Sequence, residues 1–73
     1  MTGADERGAV TVDARGMKCP WPALRLARAM RADRAVTLIA DDPQAGREVA
    51  ALAAEHGWTV STEAEGRWLV RRS

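Results

Sequence analysis

Cys19 is the only cysteine in this chain of 73 residues, so no internal disulfide can hold its fold together. One cysteine and one histidine are also too few for a structural zinc site, and we expect no bound metal. A chain this short that lacks such links must bury one small apolar core. Hydrophobic residues make up 47% of the sequence, which is enough for that core. We therefore expect a single domain over residues 10–73, preceded by a flexible lead-in over residues 1–9.

The first half of the chain has a strand pattern, a loop, a helix pattern and a second strand. Residues 10–12 alternate with a period of two, as a half-buried strand does. Residues 20–32 have the spacing of an amphipathic helix, and residues 35–40 are rich in β-branched and aliphatic side chains. The apolar face of the helix is predicted to contain Ala23, Leu26, Ala27 and Met30, widened by Leu24.

The second half begins with a helix start signal. Asp42 can cap a helix, and Pro43 suits its first position. The helix is predicted to run to about His56 and to end at Gly57. Residues 58–63 and 67–71 then form two strands joined by a turn at Glu65-Gly66. The apolar positions of this helix are Val49, Leu52 and Ala53, with His56 in line with them.

The order β-α-β-α-β-β predicts an α/β fold, a two-layer sandwich with two helices on one face of a four-stranded mixed sheet. The first two strands should be parallel, because a helix connects them. The loops that follow these strands then meet at one edge of the sheet. The sequence therefore places Cys19 close to residues 41–43.

Composition argues against two classes of protein and favours one compartment. The net charge of +1 gives little reason to expect strong nucleic-acid binding. No segment approaches the roughly 18 apolar residues of a membrane span, and residues 1–9 have no signal-peptide pattern. A free thiol without an export signal favours a reducing cytoplasm.

Cys19 lies just ahead of the first predicted helix, in the run Gly16-Met17-Lys18-Cys19-Pro20-Trp21-Pro22. The helix begins at Pro20 with Cys19 as its cap, or at Pro22 with Trp21 as its cap. In both cases the helix dipole, helped by Lys18, should favour the thiolate, while Pro20 and Pro22 stiffen the backbone. A lone cysteine is more often a buried small apolar residue, but the flanking lysine and proline favour an exposed loop.

The chemistry open to this thiol is limited by what the chain lacks. A dithiol redox cycle needs a second cysteine. A Cys–His pair would need His56, which lies at the far end of the second helix. What remains is chemistry of the sulfur alone, such as carrying a persulfide.

Three other residues, Trp21, Arg25 and Arg28, have two readings each. Trp21 either anchors a partner protein or packs over the sheet edge. Arg25 and Arg28 either attract an acidic partner or form an ordinary solvated helix face. Asp41 is a candidate supporting residue near the sulfur, whereas Asp42 is read as a helix cap.

The run around Cys19 resembles the Cys-Pro-x-Pro signature of the TusA (SirA-like) family of sulfur carriers. Residues 12–16 look like that family's approach from strand to loop, and residues 40–43 are similar to its second recurrent stretch. The resemblance covers roughly residues 10–71. Many relatives have an Asp-Ile-Pro-like stretch in the second helix, where this chain has Glu48-Val49-Ala50.

This resemblance implies a sulfurtransferase that accepts a persulfide sulfur on Cys19 and relays it to an acceptor protein. The donor would be a cysteine desulfurase or a rhodanese-like protein, and tRNA thiolation is one pathway that family members serve. Any pyridoxal phosphate would belong to the donor, so the chain itself should need no cofactor. The alternatives are a non-enzymatic interaction module of the same fold and an accessory to thiosulfate uptake or use.

Overall fold

The computed structural model of the protein describes residues 9–72, which form six elements in the order β-α-β-α-β-β. The elements are β1 (Ala9–Asp13), α1 (Trp21–Ala32), β2 (Ala35–Ile39), α2 (Ala45–His56), β3 (Thr59–Ala64) and β4 (Arg67–Arg71). The predicted fold class is confirmed. Residues 1–8 of the predicted lead-in lie outside the described residues, and Ala9 already belongs to β1.

The four strands form one mixed sheet in the order β1-β2-β4-β3. As predicted, β1 and β2 are parallel, with Val12 opposite Leu38. Strand β4 pairs antiparallel with both β2 and β3. Strand β2 therefore has a partner on each side, which explains why its three middle residues are buried.

Both helices pack into a single apolar core against the sheet. Leu26 and Met30 of α1 and Val49 of α2 are almost completely buried. The sheet contributes a row of aliphatic side chains to the same core, namely Val12, Val36, Leu38 and Val70. Trp58 and Trp68 are partly buried against this core, as the sequence indicates. One core shared by both helices fits a two-layer sandwich.

Helix α1 begins between the two predicted positions. Its first residue is Trp21, with Pro20 as the N-cap and Pro22 in the first turn. Pro22 is buried, although the apolar pattern did not include it. The predicted core position of Leu24 is wrong, because 51% of this residue is exposed. The helix therefore presents an apolar side chain to solvent close to the cysteine.

Helix α2 begins at Ala45, two residues later than the cap signal predicts. The reason is a turn over residues 42–45, in which the Ala45 amide donates to the Asp42 carbonyl. The Asp42 side chain accepts the Gln44 amide at 2.7 Å instead of capping a helical turn. The helix ends as predicted, at Gly57 with a left-handed φ of 74°.

Candidate active site around Cys19

Cys19 lies in the loop between β1 and α1, two residues before the helix begins. Its thiol is free and exposed, which excludes the reading of a buried structural cysteine. The Cys19–Pro20 peptide bond is cis, and Pro20 and Pro22 flank the start of α1. The sulfur is therefore within about one turn of the helix N-terminus, as expected.

Two aspartates from the loop after β2 bind the backbone of the cysteine loop. Asp41 Oδ1 accepts the Gly16 amide at 2.9 Å, and Asp42 Oδ2 accepts the Cys19 amide at 3.0 Å. The predicted proximity of Cys19 to residues 41–43 is thus confirmed. The direct contact with Cys19 comes from Asp42, which the sequence suggested only as a helix cap, whereas Asp41 contacts Gly16. Each oxygen of Asp42 accepts one amide, so this side chain joins the two loops.

The residues before the cysteine are also held in place. Arg15 forms two side-chain hydrogen bonds with Asp13, at 2.9 and 2.8 Å, and these bonds lower the pKa of the carboxyl to about 2. Met17 is half-buried against the core, and Arg25 Nη1 lies 3.8 Å from its sulfur. These contacts hold in place the part of the loop that precedes Cys19.

The environment of the thiol differs from the predicted one. Neighbouring protein atoms remove part of its water, and the Glu48 carboxylate disfavours its anion. Asp42 adds a further negative charge. Together these raise the pKa of the Cys19 thiol, which is opposite to the direction expected from the helix dipole and Lys18.

Lys18 acts on the neighbouring carboxylate. The pKa of Asp42 is lowered, chiefly by the amides of Gln44 and Cys19 and additionally by the charge of Lys18. Asp42 therefore stays ionised over a wide range of pH, and its hydrogen bond with the Cys19 amide is kept over that range.

Glu48 is the residue that sequence reasoning missed. It is half-buried in the first turn of α2, and the sequence drew attention to it only as part of a departure from related chains. Helical spacing offers a signal that could have found it. A residue in the first turn of a helix whose leading loop meets Cys19 is a candidate to face the sulfur.

An exposed stripe on α1 starts beside Cys19. Trp21 is 60% exposed, which excludes the reading in which it packs over the sheet. Leu24, Arg25 and Arg28 are exposed too, and their spacing places them on the same side of the helix as Trp21. The stripe, defined as Trp21, Leu24, Arg25 and Arg28, combines apolar area with two positive charges.

His56 is remote from this site. It is the last residue of α2 and stacks on Trp58 with ring centroids 4.5 Å apart, whereas Cys19 is bound near the start of that helix. Within residues 9–72, no three side chains of the metal-binding types lie close enough together to hold an ion. The arrangement supports reactions of one exposed sulfur.

The family model described as sulfurtransferase TusA matches residues 10–71 of the chain. The chain belongs to the TusA family of sulfurtransferases. This match agrees with the resemblance noted around Cys19, and membership of the TusA family implies a role in carrying sulfur. Comparison with curated proteins gives no match. In the part of the chain that the structure describes, neither helix is long and apolar enough to cross a membrane.

Proposed function

We propose that this TusA-family protein carries a sulfane sulfur as a persulfide on Cys19 and relays it to an acceptor protein. The observation that carries the proposal is the exposed, free thiol of Cys19, a residue whose backbone amide donates to Asp42 at the junction of two loops. Since the chain has no second cysteine, the sulfur must arrive from one molecule and leave to another.

In the loading step, a sulfur atom moves from a donor persulfide to the Cys19 thiol. The Cys19 sulfur, as thiolate, attacks the terminal sulfur of a donor persulfide, and a new S–S bond forms on Cys19. The S–S bond of the donor breaks, and its electron pair stays on the donor sulfur, which leaves as a thiolate. Cys19 releases its proton to solvent, and the donor thiolate takes up a proton from solvent. No oxidant is needed, because one persulfide is exchanged for another.

The proposed partners follow from this chemistry. The donor is a protein persulfide, formed by a cysteine desulfurase or a rhodanese-like protein, and the acceptor is a second protein with a reactive thiol. We place this relay in the cytoplasm, with tRNA thiolation as one pathway it serves. Thiosulfate is the alternative donor, in which case the S–S bond breaks with loss of sulfite.

The experiment that tests the proposal is intact-mass measurement under non-reducing conditions. We expect a gain of about 32 Da after incubation with a cysteine desulfurase and cysteine, reversed by dithiothreitol. Protein alkylated beforehand with iodoacetamide is the control and should gain nothing. A gain with thiosulfate alone would favour the alternative donor. No gain from either donor, with an alkylatable thiol, would contradict the carrier function and leave the interaction module as the better reading.

The exposed stripe on α1 is proposed as the surface that docks the donor. Trp21 and Leu24 offer exposed apolar area beside Cys19, and Arg25 and Arg28 favour an acidic patch on the partner. We expect Arg28→Glu to slow loading by a protein donor about tenfold or more, because a like charge then faces that patch.

Two comparisons make this docking prediction specific. Arg34→Glu changes the charge equally, but Arg34 is exposed just before β2, at the sheet edge opposite Cys19, and this variant should load normally. Loading from inorganic polysulfide needs no docking and should be unchanged in both variants. Equal slowing by Arg28→Glu and Arg34→Glu would mean that the stripe is not the docking surface.

A further inference from the structure

A second cavity lies at the end of the molecule opposite Cys19. Helix α1 runs away from the cysteine loop for 12 residues, about 18 Å, and α2 ends at the same side. Strand β4 ends there too, because Arg71 pairs with Ala35 at the start of β2. This far cavity has a volume of about 450 Å³ and is lined by Ala27, Met30, Arg31, His56, Trp58 and Arg72. It shares no residue with the Cys19 site or with the exposed stripe on α1.

The charged residues that line the far cavity are basic. Arg31 comes from the last turn of α1, and Arg72 follows the end of β4. Arg34 is exposed close by, since its carbonyl accepts the Arg72 amide at 2.8 Å. Asp33 and Glu55 are nearby along the chain, but neither lines the cavity, and neither forms an ion pair in the part of the chain that the structure describes. The cavity therefore favours an anion.

Helix capping accounts for only one of the two arginines. The Arg72 guanidinium donates to the Met30 carbonyl in the last turn of α1, where carbonyls have no partner within the helix. The side chain of Arg31 is exposed and forms no hydrogen bond or ion pair with any residue in the range 9–72. Its five N–H donors, and those that Arg72 does not use, are therefore available to a ligand.

The remaining walls of the far cavity are aromatic and apolar. His56 and Trp58 stack with ring centroids 4.5 Å apart and an angle of 12° between their planes. Trp58 is half-buried against the core, whereas His56 is exposed, so the imidazole is the outer ring of the stack. Ala27 and Met30 add apolar atoms from α1. A planar ring finds a stacking surface here, next to the two arginines.

We propose that the far cavity binds a nucleotide, whose phosphate accepts hydrogen bonds from Arg31 and Arg72 and whose base stacks on His56. A guanidinium matches two phosphate oxygens in a bidentate arrangement. The volume lies within the roughly 300–1,000 Å³ that is usual for small-ligand sites. A nucleotide carries both an anion and a planar ring, so it uses both parts of the lining. This site goes beyond the proposed carrier function and does not depend on it.

The first test is a titration of the isotope-labelled full chain with AMP, followed by nuclear magnetic resonance. We expect saturable shifts centred on Arg31, His56 and Trp58, with the signals around Cys19 unchanged. Adenosine lacks the phosphate and should bind about tenfold more weakly or less, because hydrogen bonds to a charged group are lost. Inorganic phosphate lacks the ring and should also bind more weakly than AMP.

Variants assign the two parts of the site. Arg31→Gln should weaken AMP binding about tenfold, through loss of its charged hydrogen bonds. His56→Ala should weaken the binding of AMP about fivefold or more, through loss of stacking. Arg47→Gln is the matched control, because it removes the same charge from an exposed position near the start of α2, at the other end of that helix. It should leave AMP binding unchanged. Circular dichroism verifies that each variant is folded.

A free nucleotide and a nucleotide within an RNA strand offer the same chemistry, and a five-residue oligoadenylate distinguishes them. Tighter binding of the oligomer than of AMP at the far cavity would identify the strand as the source, whereas AMP binding at least as tight would identify the free nucleotide. Either result requires contact with one nucleotide only, which agrees with the small net charge of the chain.

Three results would overturn the proposal. They are the absence of saturable shifts with AMP, equal affinities for adenosine and AMP, and equal losses in Arg31→Gln and Arg47→Gln. The titration needs no sulfur donor, and Arg31→Gln should load sulfur on Cys19 at the normal rate. Failure of nucleotide binding is therefore distinguishable from failure of the carrier function.

Discussion

Replacing Cys19 with serine is expected to abolish sulfur loading while leaving the fold intact. The reaction needs a sulfur nucleophile that can form an S–S bond, and a hydroxyl cannot replace it. The chain offers no other thiol that could take over. The stability should change little, because Cys19 is exposed and its contact with Asp42 is made by the backbone amide.

Intact-mass measurement after incubation with a desulfurase and cysteine verifies the loss, and thermal unfolding verifies that Cys19→Ser is folded. The same variant separates the two classes of function. If the protein is a sulfur carrier, Cys19→Ser transfers no sulfur to the acceptor. If it is an interaction module, Cys19→Ser still binds its partner and still acts on it. Retention of a dithiothreitol-reversible mass gain in Cys19→Ser would contradict the proposed function.

Truncation of Leu26 to alanine is expected to have the largest effect on stability. Leu26 is completely buried between α1 and the sheet, so its loss leaves a cavity in a small core. Such changes cost about 2–5 kcal/mol in the free energy of unfolding. A domain of this size has only about 4–11 kcal/mol in total. We therefore expect the melting temperature to fall by roughly 10 °C or more.

Leu24→Ala on the same helix is the matched control. It removes the same atoms from a side chain that is 51% exposed, and it should change the free energy of unfolding by less than about 1 kcal/mol. Denaturant titration of the two variants gives both values. Similar losses in Leu24→Ala and Leu26→Ala would contradict the packing described for α1. If Leu24 belongs to the docking surface, Leu24→Ala should instead slow loading by a protein donor.

The elements of this fold could be predicted because their signals are local. Alternation in residues 10–12 indicates a strand, of which Val12 is buried and Val10 is 40% exposed, and helical spacing places Ala23, Leu26 and Met30 on the buried face of α1. The turn at Glu65-Gly66 and the end of α2 at Gly57 were also predictable, because both glycines adopt a positive φ that other residues disfavour. The start of α2 was not predictable, because the Asp42 side chain can take part in either of two arrangements. It could cap a helix, but it bridges Gln44 and the Cys19 loop instead.

The amino-acid sequence by itself determined the order of the elements, the parallel pairing of β1 and β2, and the position of Cys19 in a loop just ahead of a helix. These depend on periodicity, on proline and glycine positions, and on the handedness of strand connections. Only the tertiary structure decided which aspartate binds the Cys19 amide and which carboxylate raises the pKa of the thiol. Asp42 and Glu48 are distant from Cys19 along the chain, and their effect on it depends on distances that only the packed loops and helices set.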